Sequence, residues 1–459
     1  MNNITTKNIS IGSPRLQAGT PTRQTGKLTN FANIICSRES TYRTFLDLVS
    51  FDLPAMLAST VRNFKNFLET TFECLYGTAI LFASPFITSS VAKITGKFIL
   101  PKEIQQYTKQ YLKFSMKETE NLETLKEGID RLTTEEIKDK DFIASLFKKA
   151  GKETQAKQFE KEAKEIKEFS QNFTASKEMA KHIKKLKSSV IIIESLIEGS
   201  WSASVGLVTR LFRKYVLGED RFTGTKGYVS DEESGITGDS EEINVFQKLL
   251  TGAMCFLAPV TNSILLKKSS TKEALANNRF LNTVQEQLDM THGVYPKLGL
   301  LLSYTVPPKW IGQICLSQGN LERGEKILKL LTVVTSWWFG HRFTNGLLAK
   351  KADKELAKKY GIKEGMLVDS SYLNTNPNDN LLMRIRNKYP EPAKINHVFN
   401  AIDETNLDET KKEELRFEAE EKHAKCLYWG FTLHAALVWG INMAVNGITK
   451  LRAKRMLAA

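Results

Sequence analysis

Long uncharged apolar runs alternate with highly charged helical segments along this chain. The longest run covers residues 426–449, and none of its 24 residues is Asp, Glu, Lys or Arg. Shorter uncharged runs cover residues 74–92 and 249–266, with 19 and 18 residues. A helix needs about 20 apolar residues to cross the hydrocarbon core of a bilayer. The pattern therefore predicts membrane-spanning helices, and a buried hairpin helix in a large soluble core is the alternative.

Three further apolar stretches are interrupted by charge or proline. Residues 188–209 contain two glutamates, residues 297–317 contain two prolines and two lysines, and residues 328–348 contain a lysine, a histidine and an arginine. Each stretch could be a re-entrant piece, an interfacial helix or part of a soluble core. The number of crossings is therefore open, with six as the upper limit.

Polar residues inside the apolar stretches are the candidate functional positions. Glu194 and Glu198 are four residues apart and share one helix face. They could bind a cation or relay protons there, or they could face water and pair with lysines. His434, Asn442 and Asn446 lie in the last run, where facing lipid would be costly. One interpretation joins all five into the interior polar path of a small transporter or channel.

Small and basic residues mark other features of these runs. Ala436, Gly440 and Ala444 are spaced by four, which predicts a helix face that another helix can approach closely. Basic residues follow each uncharged run, and the positive-inside rule predicts that this side faces the cytoplasm. The membrane-flanking basic residues are Lys267, Lys268, Lys450, Arg452, Lys454 and Arg455.

Two charged segments predict amphipathic helices. Residues 101–187 contain 20 basic and 16 acidic residues, and an apolar stripe recurs there at spacings of three, four or seven. This stripe predicts a helical hairpin that packs on its own chain, with a short coiled coil as the alternative. Residues 408–425 run without a helix breaker into the last apolar run. Together they predict one helix of about 50 residues, with Asp403 or Thr405 capping its start.

Changes in composition divide the chain into eight segments. The apolar segments are 46–100, 188–217 and 246–350, and 403–459 is a long helix with a terminal hydrophobic span. The others are a basic disordered tail at 1–45, the charged hairpin at 101–187, an acidic Gly-rich linker at 218–245 and a loop-rich segment at 351–402. The sequence thus predicts an all-α fold of hydrophobic, membrane-embedded helices and charged amphipathic helices.

The positive charge is concentrated at the two ends of the chain. The net charge is +14, of which residues 1–45 carry +5 and residues 450–459 carry +4. Basic tails beside apolar segments are typical of contact with anionic lipid. A nucleic-acid-binding domain would instead gather its basic residues on one folded face, in a recognisable motif. We therefore expect anionic membrane lipid as a partner, with a protein partner or self-association also open, and no nucleic acid.

Motifs for catalysis are missing from the sequence. It contains no phosphate-binding glycine loop, no zinc-protease HExxH and no GxSxG nucleophile elbow. The five cysteines are widely spaced and form no CxxC pair, which predicts reduced, packing cysteines. We expect neither an enzyme nor a bound cofactor or metal.

The pattern as a whole favours a membrane-associated structural or scaffolding protein. It would be multi-pass or hairpin-anchored, with its basic termini and charged helices in the cytoplasm. The alternatives are a soluble or trigger-inserting helical protein that binds a partner, and a small transporter or channel. The mean hydropathy of −0.28 keeps the soluble alternative open.

Overall fold

The computed structural model describes residues 26–37, 39–230, 232–237, 244–269, 298–336, 340, 342–368 and 392–459. Within these ranges the chain is helical and has no β-strand, which confirms the all-α class. The predicted disordered tail lies outside the described residues up to residue 25. The helices of eight or more residues are α1 Lys27–Ser37, α2 Glu39–Asp47, α3 Leu53–Thr60, α4 Phe64–Ile99, α5 Leu122–Arg131, α6 Ile137–Lys149, α7 Glu153–Asn172, α8 Lys177–Tyr215, α9 Val245–Ser269, α10 Leu298–Cys315, α11 Gly319–Thr335, α12 Leu347–Tyr360, α13 Ile395–Asp403 and α14 Glu409–Ala458.

Helix α8 is the centre of an apolar bundle with α4, α9 and α10. The side chain of Ser176 accepts a hydrogen bond from the Met179 amide and begins α8, and Asn63 begins α4 in the same way. Such N-caps satisfy amides that have no partner inside the helix. Pro85 predicts a kink in this region, but α4 continues through it as one uninterrupted helix of 36 residues.

Antiparallel α4 and α8 define the two ends of this bundle. Near one end, the start of α4 meets the end of α8, where Glu69 contacts Arg213. Near the other end, Thr88 of α4 contacts Glu194 of α8. Between them, the Tyr76 hydroxyl lies 2.9 Å from Ser204 Oγ. We call the Glu69–Arg213 side the ionic end of the bundle.

The charged segments fold into a lobe at the opposite end, which we call the charged lobe. It consists of residues 101–176, α12, α13 and the first four turns of α14. The apolar stripe on α7 is buried against the lobe's other helices, so the hairpin packs on its own chain. Leu146 of α6 packs with Leu356 of α12 and Leu415 of α14 in a second core.

Helix α14 connects the charged lobe to the ionic end. The expected helix of about 50 residues is present as Glu409–Ala458, but the predicted cap is wrong. Asp408, rather than Asp403 or Thr405, accepts the hydrogen bond from the Lys411 amide, at 2.9 Å. Near the other terminus, Arg452 lies against Gly324 in the first turns of α11. The basic C-terminal ends of α4 and α14 therefore lie at opposite ends of the molecule.

Two segments that the sequence places outside the core are folded. Residues 27–37 and 39–45, predicted as part of the tail, form α1 and most of α2. Ala32 and Ile35 of α1 are buried in one apolar core with Phe431 of α14. Within the predicted linker, Phe222 and Thr225 are buried at the ionic end. Their apolar and hydroxyl side chains find partners only in the tertiary structure, so composition alone reads these segments as solvated.

Candidate functional site

Helix α8 buries polar side chains on one face and exposes apolar ones on the others. Its exposed large apolar residues include Ile193, Ile197, Leu207 and Leu211. Six of the buried polar positions are separated by four or seven residues, which keeps these six on one helix face. They are Lys187, Glu194, Glu198, Ser202, Thr209 and Arg213, none more than 3% exposed.

The same reversed polarity occurs on α4 and α14. Helix α4 buries Ser84 and Thr88 between α4 and α8, while Phe82 and Phe86 are exposed, the latter at 75%. On α14 the buried polar and the exposed apolar residues again lie on different faces. The exposed apolar set is Tyr428, Trp429, Leu433, Leu437, Trp439, Ile448 and Leu451. Among the described residues, α4, α8 and α14 are the helices long and apolar enough to cross a membrane.

Glu194 and Glu198 lie at the centre of the buried polar face, and neither side chain is exposed. The Thr88 hydroxyl of α4 contacts Glu194 Oε1. Ser84 of α4 and Tyr304 of α10 are the neighbours that act on Glu198, and Tyr304 also acts on Glu194. The acidic pair therefore sits where three helices meet, in a shell made of hydroxyl groups.

Within the described part of the chain, no lysine, arginine or histidine forms an ion pair with Glu194 or Glu198. Lys187 is two turns away on the same face, and its ammonium group donates to the Phe114 carbonyl instead. Placing two carboxylates in a low-dielectric interior without a counter-charge is very costly. The pair therefore needs protons or a bound cation to be stable as two buried groups.

A buried ionic network at the other end of the bundle shows the opposite arrangement. The Arg213 guanidinium contacts Glu69 of α4 at 3.0 Å and Glu322 of α11 at 2.6 Å. Gln318 and Thr223 add further hydrogen bonds to this cluster. On the next turns, Lys326 pairs with Glu73. Every carboxylate of this cluster thus has a cation as a direct neighbour.

Glu325 of α11 extends the ionic network toward α3. Its carboxylate accepts hydrogen bonds from the two terminal guanidinium nitrogens of Arg62, at 3.0 and 2.7 Å. The Lys329 ammonium group lies 2.7 Å from the same carboxylate. Burial alone would raise the pKa of Glu325, but the positive charges of Lys329 and Arg62 outweigh it and hold that pKa well below its usual range. The network joins the turn between α3 and α4 to α4, α8 and α11 and fixes how these elements pack together.

The structure does not join all five predicted polar positions into one path. His434 is buried on α14 against the Phe51 ring, at a centroid distance of 5.2 Å, and beside Gly340. Asn442 donates to the Val438 carbonyl of its own helix, and Asn446 donates to the Ala58 carbonyl of α3 at 3.0 Å. His434 and Asn446 thus hold α14 against residues 51–58, whereas Asn442 bonds within α14.

The other predicted positions lie on the outside of the molecule. Ala436, Gly440 and Ala444 are exposed, and nothing lies within 4 Å of the place where a Gly440 side chain would begin. Their role in helix packing stays a prediction. The basic residues Lys450, Arg452, Lys454 and Arg455 are exposed at the end of α14. Lys267 and Lys268 lie in the last turn of α9, and their side chains lie outside the described residues.

No protein-family model, curated protein or solved structure matches this chain. Its site therefore has to be argued from its own geometry. In the described part of the chain, no group of three or more His, Cys, Asp or Glu side chains is arranged to hold a metal ion.

Sequence reasoning missed the ionic network and the tight crossing of α8 and α10. Arg213 and Glu322 are 109 residues apart, and nothing in their local pattern predicts their contact. Gly206 and Gly312 allow the crossing, since a side-chain carbon on Gly312 would lie 2.2 Å from the Ala203 carbonyl oxygen. A glycine inside each apolar helix was the available signal for this close approach.

Proposed function

We propose that this chain is an integral membrane protein in which α4, α8 and α14 cross the bilayer and the charged lobe stays in water. The supporting observation is the reversed polarity of these helices, with glutamate, serine and threonine inside and phenylalanine, leucine and isoleucine outside. In water such a surface would expose far more contiguous apolar area than soluble monomers carry. In lipid it is the stable arrangement, because buried polar groups find partners within the bundle.

The role we propose for this architecture is structural or scaffolding. A single helix, α14, links a water-facing lobe to an apolar span, so the lobe is anchored rigidly rather than through a flexible linker. The exposed cluster from Lys450 to Arg455 would contact anionic lipid headgroups at the end of this span. The charged lobe then offers its own surface for a protein partner on the opposite side of the membrane from this cluster.

Carbonate extraction of the full chain tests membrane integration. We expect the protein to stay in the membrane pellet after alkaline carbonate treatment and to be released by detergent. Release into the supernatant by carbonate alone would contradict the proposal. That result would favour the soluble or trigger-inserting partner-binding protein.

A matched pair of arginine substitutions on α14 tests which part of that helix faces lipid. Leu437 is exposed in the middle of the apolar run, and Glu413 is exposed in the charged lobe. An arginine at the centre of a spanning helix costs about 2.5–3.5 kcal/mol of insertion free energy. We expect Leu437→Arg to lower the carbonate-resistant fraction and Glu413→Arg to leave it unchanged. Equal fractions for the two variants would place Leu437 outside the bilayer.

Transport of an ion or proton is a second candidate function, favoured by the burial of Glu194 and Glu198 without a counter-charge in the described part of the chain. Intramembrane acids are typical of ion and proton pathways. Purified protein in liposomes should then support ion-dependent flux that Glu194→Gln together with Glu198→Gln abolishes. Flux that is absent, or that persists in this double variant, would exclude a transport role for the pair.

A further inference from the structure

The Thr88 hydroxyl makes two contacts to oxygen atoms but has one hydrogen to donate. Its oxygen lies 2.9 Å from the Ser84 carbonyl oxygen, one turn back in α4. The same oxygen contacts Glu194 Oε1 across the helix interface. A hydroxyl has one hydrogen to donate and can accept as well. A carbonyl oxygen has no hydrogen, so Thr88 must donate to Ser84 if each contact is to be a separate two-centre hydrogen bond.

The hydrogen in the second contact then has to come from Glu194. An ionised carboxylate only accepts, whereas a protonated carboxyl carries one O–H donor. A Glu194 carboxyl that donates to Thr88 Oγ1 satisfies both contacts. It also removes one of the two negative charges from an interior where the described chain supplies no cation.

Glu198 lacks a settled partner at the same place. Neither of its carboxylate oxygens forms a hydrogen bond of normal geometry with a described group, and Glu194 Oε2 does not either. The Ser84 hydroxyl, fully buried and without a hydrogen-bond partner of its own, is directed at Glu198. The site thus has free acceptor and donor capacity beside a protonated neighbour.

We propose that Glu194 and Glu198 form a proton-binding site, in which Glu194 holds a proton that it donates to Thr88 and Glu198 is the member that takes up and releases a second proton. The inference does not depend on membrane insertion, because helices of the same chain bury the pair. It also goes beyond anchoring, since it assigns a ligand, the proton, to the interior of the bundle.

The groups around the pair favour a proton over a metal cation. Helix α4 contributes the hydroxyls of Ser84 and Thr88, and α10 contributes the phenol of Tyr304. Lys248 is the titratable side chain described on α9, and it forms no ion pair with either glutamate. A metal ion needs several oxygen ligands directed at it, and in the described part of the chain no group of three or more His, Cys, Asp or Glu side chains is arranged to hold one.

The Glu194→Gln substitution tests whether Glu194 is a protonated acid or an ionised carboxylate. Like a protonated carboxyl, the glutamine amide is neutral and can donate to Thr88. We expect Glu194→Gln to keep the wild-type melting temperature in detergent at neutral pH, and Glu194→Ala to lower it. A melting temperature of Glu194→Gln as low as that of Glu194→Ala, or failure of the glutamine variant to fold, would overturn the proposal.

Infrared spectroscopy of the wild-type protein provides a test that does not need the glutamate variants to fold. At neutral pH we expect a carboxylic acid C=O band that changes frequency in Thr88→Val, which removes the hydroxyl acceptor. Thr88→Ser keeps the hydroxyl and is the matched control, so its band should stay in place. No carboxylic acid band that responds to Thr88→Val would mean that Glu194 is ionised.

Salt substitution distinguishes proton binding from metal binding. Sodium, potassium, magnesium and calcium chlorides at equal ionic strength should leave the wild-type melting temperature the same. Acidification should add a second carboxylic acid band that is missing in Glu198→Gln. A rise in melting temperature specific to one cation, abolished by Glu194→Gln, would show a metal site and overturn the proton assignment.

Discussion

The carboxylate of Glu69, in the second turn of α4, lies 3.0 Å from the guanidinium Nε of Arg213, in the last turn of α8. Both side chains are buried, and Glu322 of α11 completes the cluster from a third helix. Breaking a buried ion pair by removing one partner is costly, because the remaining charge stays in the interior. This contact therefore fixes the antiparallel alignment of α4 with α8.

Removing the Arg213 charge should strongly destabilise the bundle. Arg213→Met leaves Glu69 and Glu322 buried without their shared cation, at a cost of about 3–5 kcal/mol. We expect a lower melting temperature in detergent, with partial recovery when Glu69→Gln and Glu322→Gln are added. Arg213→Met with wild-type stability would show that water reaches this cluster.

Acid should weaken the ionic end through Glu325. Its pKa is held below the unfolded value by Lys329 and Arg62, so its contribution is complete above about pH 4–5 and is lost as the pH falls. Glu325→Gln should therefore be less stable than wild type at neutral pH, and the difference in melting temperature should shrink on acidification. Glu413→Gln, at an exposed position of α14, is the control and should follow the wild-type curve.

A methyl group at the α8–α10 crossing should force the helices apart. The added carbon of Gly312→Ala would lie 2.2 Å from the Ala203 carbonyl oxygen. Overpacking of this kind costs about 1–3 kcal/mol. Gly440→Ala is the matched control, because the space around Gly440 is open and alanine is the better helix former. The melting temperature of Gly312→Ala should fall, whereas that of Gly440→Ala should rise or stay the same.

Asp353 of α12 should stabilise the turn that follows this helix in the charged lobe. Its buried carboxylate accepts hydrogen bonds from the amides of Gly365, Met366 and Leu367, at 2.7, 2.9 and 2.7 Å. Hydrogen bonds to a charged group contribute about 1.5–3 kcal/mol each. Asp353→Ala should speed hydrogen exchange at these three amides, whereas Lys363→Ala at an exposed site should not. Unchanged exchange in Asp353→Ala would mean that other contacts keep this turn closed.

The periodic elements of the fold could be predicted from sequence because their signals are local. The apolar run at 426–449 and the charged residues before it predict one long helix, and α14 is that helix. The stripe that includes Phe159 and Ile166 predicts a buried face, and both residues are buried. The cap at Asp408 was missed, because several acids precede this helix and any of them could begin it.

Segments with weak local signals were decided by contacts from distant parts of the chain. Residues 27–45 look like a solvated tail until α14 supplies the apolar surface on which Ala32 and Ile35 pack. Residues 188–209 look unfit to cross a membrane because of their two glutamates. The tertiary structure turns both glutamates inward and gives α8 an apolar exterior.

The sequence by itself determined the helical class, the apolar runs and the spacing that places Glu194 and Glu198 on one face. These properties depend on residues within a few turns of one another, so a linear pattern contains them. Only the tertiary structure decided that Arg213 has Glu69 and Glu322 as partners and that the acidic pair forms no ion pair with a cation among the described residues. Electrostatic energies depend on distances through space and on burial, and neither is encoded at any one place along the chain.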